Sequence, residues 1–145
     1  MPPSFWIATS NSSTHSTCTA GKYCPSTKIY CGSTGTQTTC TANYYCPGGI
    51  TVNYGNTGGR TSCPTNYTLS ASGSDAASDC YLKTTVGNYV ATANSGETQC
   101  AADGYCPGNV EVKYGSTGGR TACATPYTKS AAGSDARADC YLKTT

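Results

Sequence analysis

The sequence predicts a small, disulfide-rich fold, mostly β and loop: an elongated tandem array of short β-hairpin units with little helix. Three observations predict it. Eleven of the 145 residues are Cys, close to the density of small disulfide scaffolds. Aliphatic mass is scarce: Leu occurs three times and Ile three times, whereas Ser and Thr together number 41. An aliphatic core cannot be built from that inventory, so cross-links have to replace it. Third, residues 40–85 align without a gap to residues 100–145, and 31 of those 46 positions are identical.

These counts exclude an ordinary hydrophobic-core enzyme, a helical bundle and a coiled coil. Charged residues make up 11% of the chain, against about 25% in an average soluble domain. The net charge of +2 comes from scattered Lys and Arg, so there is no basic stripe for nucleic acid. No run approaches the roughly 20 apolar residues of a membrane span.

Taken in order, residues 1–17 read as an N-terminal spacer. It holds Phe5, Trp6 and Ile7, the most apolar cluster in the chain, and it lacks the basic and apolar regions of a secretory signal. Residues 18–39 read as a truncated cysteine-rich unit, because Cys18-Thr-Ala-Gly-Lys-Tyr-Cys24-Pro25 matches the starts of the two long copies at Cys40 and Cys100. Within it Cys31 is an insertion with no counterpart, which predicts an unpaired or intermolecular cysteine. Residues 40–85 form the first full repeat and 100–145 the second, with a spacer at 86–99.

No window shows a 3.6-residue apolar period. Alternation in Ile50-Thr-Val-Asn-Tyr54 and Val110-Glu-Val-Lys-Tyr114 predicts short strands with one apolar face, and 88–92 reads as a third strand. The Gly58-Gly59 and Gly118-Gly119 pairs suit hairpin turns that need positive φ. The spacer string at 89–95 resembles the one at 6–12. The chain thus starts inside a spacer and stops where another would begin, so its two ends are complementary in register.

The chemistry of the cysteines points to disulfides. There is no Cys-x-Cys or Cys-x2-Cys, and His15 is the single His, so structural zinc is disfavoured and no cofactor is implied. Disulfides in turn imply an extracellular or cell-surface protein. The recurring Asp75, Asp79, Asp135 and Asp139 read as turn formers rather than a calcium site. No base–nucleophile pair stands out, so an enzyme is not expected. Asn11-Ser-Ser and Asn66-Tyr-Thr are glycosylation acceptors, and attached glycans are expected partners; Pro126 replaces the second acceptor in the later copy.

Tyr-Cys-Pro-Gly at 45–48 and 105–108 resembles the GYYCPGG signature of ephrin-receptor-like cysteine-rich repeats. The stretches from Cys63 to Cys80 and from Cys123 to Cys140 resemble that family's CPAGTYS segment. The resemblance covers about residues 18–145 and extends to growth-factor-receptor-type modules. It implies disulfide-laddered ectodomains without catalysis. Lys83 stands where the family's Cys-x2-Cys junction has its second Cys. Two pairing schemes stay open. One joins Cys63–Cys80, Cys123–Cys140, Cys40–Cys46, Cys100–Cys106 and Cys18–Cys24. The other joins Cys24–Cys40, Cys46–Cys63, Cys80–Cys100 and Cys106–Cys123, with Cys140 bonded to Cys18 of another molecule. The missing junction cysteine favours the first, and both leave Cys31 over.

The expected function is structural: a subunit or repeat segment of an extracellular filament, appendage or surface coat. Copies of the chain would join head to tail, with Cys140, Tyr141 and Leu142 meeting Phe5, Trp6 and Ile7 of the next molecule. An open contact of that kind propagates into a fibre. The alternative is a receptor-like or adhesive binding module used as a stalk.

Overall fold

A computed structural model of the chain describes residues 15–24, 37–53 and 57–145. Those residues form short strands and turns with no α-helix. The strands are β1 (His15–Thr17), β2 (Lys22–Tyr23), β3 (Thr38–Thr39), β4 (Tyr44–Tyr45), β5 (Thr51–Asn53), β6 (Thr61–Ser62), β7 (Tyr81–Lys83), β8 (Asn88–Tyr89), β9 (Thr98–Gln99), β10 (Gly104–Tyr105), β11 (Glu111–Lys113) and β12 (Thr121–Ala122). Strands this short are weak alone, so the fold depends on its cross-links. The chain divides into two compact units, Met1–Cys80 and Tyr81–Thr145.

Each unit has the same antiparallel pairing. In the first, β1 pairs with β5, β2 with β3 and β4 with β6. In the second, β7 pairs with β11, β8 with β9 and β10 with β12. A single bridge ties Cys24 to Gly58 in one and Val90 to Gly118 in the other. His15 therefore answers to Tyr81 and Cys24 to Val90, while Thr38 answers to Thr98 and Thr61 to Thr121. Between the two registers, residues 25–36 of the first unit replace residues 91–96 of the second, twice as many positions.

This equivalence corrects two readings of the sequence. Residues 18–24 do not stand where 40–46 or 100–106 stand; they stand where 84–90 do. The backbone decides it: Cys18 N–H donates to Ile50 O as Thr84 N–H donates to Val110 O, and Gly21 N–H donates to Cys46 O as Gly87 N–H donates to Cys106 O. The second unit also begins at Tyr81 and not after Thr85, because β7 is paired with β11. The string Tyr-Leu-Lys-Thr-Thr at 81–85 is the leading strand of the second unit, not the tail of the first.

Cystines occupy the interior where aliphatic side chains are missing. Cys40 is bonded to Cys46 and Cys100 to Cys106, closing small rings, while Cys63–Cys80 and Cys123–Cys140 each close a longer loop with a sequence separation of 17. Cys40, Cys46, Cys80, Cys100 and Cys106 are fully buried, joined by Tyr67, Val52, Val90, Val112 and Leu82. The longer loops are docked by hydrogen bonds, Ser70 Oγ donating to Tyr44 O and Ser130 Oγ to Gly104 O at 2.7 Å each. They close on one 3₁₀ turn apiece, Ala77–Asp79 and Arg137–Asp139. Asp79 Oδ2 accepts the amides of Asp75 and Ala76, and Asp139 Oδ2 those of Asp135 and Ala136. The two carboxylates thus satisfy backbone donors that a short turn would leave open.

The glycine pairs do not make the expected two-residue hairpins. Gly58 and Gly118 instead form the bridges to the ends of β2 and β8. Gly59 (φ +90°) and Gly119 (φ +96°) come next, and a Cβ on them would lie 2.5 Å from Cys18 Sγ and 2.8 Å from Thr84 Cγ2 respectively. Both glycines are required twice over, by backbone sign and by the close approach of the leading strand.

Candidate assembly site

The leading strand of the second unit shows what residues 81–85 are for. Leu82 sits opposite Val112 in the β7–β11 pair and is 7% exposed. Thr84 is buried; its Oγ1 accepts the amide of Val110 at 3.1 Å, and its carbonyl accepts the amide of Asn109. Thr85 donates both its amide and its hydroxyl to Glu97 Oε1. Burying the Leu side chain stabilises the pairing by about 2 kcal/mol.

Residues 141–145 repeat 81–85 letter for letter. Tyr141 continues from Cys140 and exchanges two backbone hydrogen bonds with Lys129. Beyond it the strand stops. Leu142 is 51% exposed and Tyr141 50%. Tyr127, in the loop closed by Cys123–Cys140, is 55% exposed, whereas its counterpart Tyr67 is fully buried. Tyr127 lines a depression of about 210 Å³ with Pro126, Arg137 and Cys140. Three of the most exposed large apolar residues among those described therefore gather in the last part of the chain, at positions whose earlier counterparts are covered or half-covered.

In the first unit the leading strand is β1. Its register places Ser16 opposite Val52, where the second unit has Leu82 opposite Val112. Cys18 takes the place of Thr84. Cys18 is a free thiol, 2% exposed, with Sγ 3.9 Å from Gly58 O, and burial pushes its pKa up. Thr19 N–H donates to Gln37 Oε1 at 2.7 Å, the counterpart of the Thr85–Glu97 contact.

Cys24 is disulfide-bonded and Cys18 is not, so the two do not pair with one another as the first scheme expects. The reason is positional: Cys18 lies under Gly59 and Cys24 is bridged to Gly58 at the end of β2, so this segment is a strand and turn, not a ring. Neither the Cys24–Cys40, Cys46–Cys63, Cys80–Cys100 and Cys106–Cys123 bonds of the second scheme nor its intermolecular bond from Cys140 is compatible with the bonds present. Phe5, Trp6, Ile7, Asn11 and Cys31 lie outside the described residues.

Other features take their places around these strands. Asn66 is exposed at a turn (φ +73°) in which Tyr67 N–H donates to Pro64 O, so the acceptor side chain of that sequon is accessible. Arg60 is stacked between the rings of Tyr23 and Tyr44, 4.8 and 4.1 Å from their centroids. Its counterpart Arg120 lies on Gly104, which replaces Tyr44, and donates to Ala102 O. Among the described residues no group of three or more His, Cys, Asp or Glu side chains converges to hold a metal. No helix among them is long and apolar enough to cross a membrane.

The equivalence of 15–24 with 81–90 is masked in the sequence because the Cys-x5-Cys spacing draws 18–24 towards the rings. The signal that reveals it is Thr-x-Gly-x-Tyr, present at 19–23 and 85–89. No protein-family model matches the chain, and no curated protein or solved structure is significantly similar to it.

Proposed function

We propose that this chain is a structural subunit or repeat segment of an extracellular filament, appendage or surface coat, assembling head to tail. The observation that carries the reading is the exposed trio Tyr127, Tyr141 and Leu142, set against the covered Tyr67 and Leu82 at the matching positions. The same cystine-stapled β unit is used twice, as in arrays whose units bury their faces against neighbours. Dense disulfides suit an oxidising compartment, and the accessible Asn66 suits a glycoprotein surface. The likeness to ephrin-receptor-like repeats agrees with a non-catalytic ectodomain.

The test is direct. Protein secreted from an oxidising host should show concentration-dependent association in sedimentation velocity and linear polymers by negative-stain electron microscopy. A monomer at every concentration would refute the reading.

A further inference from the structure

We infer that residues 141–145 are a donor strand, and that their acceptor is β5 of a second copy of this chain, taken over from that copy's own residues 15–19. The inference rests on the head-to-tail reading and names the contact that builds it.

Three leading segments recur, 15–19, 81–85 and 141–145, and among the described residues two acceptor strands of the matching kind are paired with the first two, β5 and β11. Among the described residues 141–145 has no such acceptor, and its Leu142 and Tyr141 are half-exposed. Its sequence is identical to 81–85, whose docked geometry on β11 is fully laid out in the same chain.

The first unit offers that geometry again. The register Tyr81↔Lys113, Leu82↔Val112, Lys83↔Glu111 becomes Tyr141↔Asn53, Leu142↔Val52, Lys143↔Thr51 on β5. Thr144 would enter the site now filled by Cys18, which is roofed by Gly59 just as Thr84 is roofed by Gly119. Its hydroxyl would accept the Ile50 amide as Thr84 accepts that of Val110, where Cys18 offers only a thiol, a weak acceptor. The Thr145 amide would take over the bond from Thr19 to Gln37 Oε1.

The exchange replaces a polar strand with an apolar one. Ser16 leaves the place opposite Val52 and Leu142 takes it. Cys18 is a free thiol, so no disulfide at that residue holds 15–19 in place. The strand left over in the polymer is then His-Ser-Thr-Cys-Thr in place of Tyr-Leu-Lys-Thr-Thr. Exchange of equivalent elements between copies is a known low-cost route to association, and here it is open-ended, because each chain both donates and accepts.

Displacement of 15–19 brings the Cys18 thiol from burial into solvent, which provides the readout. Monomer and associated fractions of the native, non-reduced protein are treated with iodoacetamide and the modified residue is identified by peptide mapping. Alkylation of Cys18 should be at least tenfold faster in the associated fraction. Leu142→Asp, at a residue exposed in the monomer, should abolish association and leave Cys18 as protected as in the monomer. Association with Cys18 still protected, or an L142D variant that associates as well as the parent, overturns the donor-strand inference and leaves the head-to-tail reading standing. A chain that stays monomeric overturns both.

Discussion

The two units share a backbone and differ in what fills it. The leading strand and the ring make matching backbone hydrogen bonds in both, and equivalent pairs of disulfides close each unit. The longer loops differ locally: Tyr67 N–H donates to Pro64 O in the first, and a cis Thr125–Pro126 bond stands in the second. Under that frame, Cys18 and Cys24 of the first unit become Thr84 and Val90 of the second, and Tyr44 becomes Gly104. Buried Cys24 and Val90 are equally covered, at 1% and 0% exposure. The frame is thus set by cystines, by glycines with positive φ and by backbone pairing. The position held by disulfide-bonded Cys24 in the first unit is filled by the apolar Val90 in the second. What the frame does not equalise is exposure at two matching positions: Tyr67 and Leu82 are covered, whereas Tyr127 and Leu142 are open.

The largest effect that could break this comparison comes from the disulfides. The Cys63–Cys80 and Cys123–Cys140 loops have the same separation of 17. Removing either pair with Ala substitutions should cost its own unit about 3 kcal/mol by the chain-entropy argument. Hydrogen exchange read peptide by peptide should show the loss confined to that unit. A difference between the two variants above about 1 kcal/mol would mean that the disulfide at Cys24 or the Arg60 stack supports the first frame in a way that the second lacks.

Next in size is the contrast between the identical pentapeptides. Leu82→Ala should destabilise the second unit by about 2–3 kcal/mol, since it empties a buried site against Val112. Leu142→Ala should change the stability of the monomer by no more than about 0.5 kcal/mol, as for other exposed positions. Denaturant unfolding at low protein concentration measures both. Equal losses would show that Leu142 is already docked within its own chain.

The same contrast explains what can be read from the sequence and what cannot. The disulfide-rich β class is legible because composition leaves no other means of stabilisation, and strands near 50–54 and 110–114 are legible by alternation. The ends of the units are not. A run such as Tyr81-Leu-Lys-Thr-Thr comes directly after Cys80 in sequence but pairs forward with β11, and nothing local marks the direction in which a strand will pair. The glycine pairs mislead for a related reason. Positive φ suggests a tight turn, whereas Gly59 and Gly119 serve the passage of a strand that is distant in sequence. The candidate site is half legible: Tyr141 and Leu142 stand out as apolar, but their acceptor emerges only from the register of β1 on β5.

A smaller effect is expected from exchanging the residues under those glycines. Cys18→Thr copies the second unit into the first and should add about 1 kcal/mol, the worth of a new hydrogen bond from the Ile50 amide. Thr84→Cys should lose a similar amount. Thermal unfolding of both variants tests the pair. Should Cys18→Thr be destabilising, the two sites are not equivalent in shape, whatever their shared backbone.

The smallest effect concerns charge. Asn43 and Leu69 of the first unit are replaced by Asp103 and Lys129 in the second, where the two form an ion pair at 3.1 Å. Asn43 Oδ1 and Asp103 Oδ1 accept the amides of Ser70 and Ser130 alike. The hydrogen bond from Lys129, aided by the Ser130 amide and nearby positive charge, holds the Asp103 carboxyl below its ordinary range. A lowered folded pKa contributes stability that is complete above the unfolded value, near about pH 4, and is lost as pH falls through the folded value. The pair is exposed to solvent, so the gain is slight. Asp103→Asn, which restores the first unit's residue, should therefore melt slightly below the parent at about pH 6, with the gap closing as the pH falls through the lowered folded value. Asn at this position can still accept the Ser130 amide, so the variant removes the charge and keeps the turn. A gap that persists in acid would mean that the loss lies in the turn and not in the ion pair. The two units would then differ in backbone strain at Asn43 and Asp103, which share a left-handed φ of 71° and 66°.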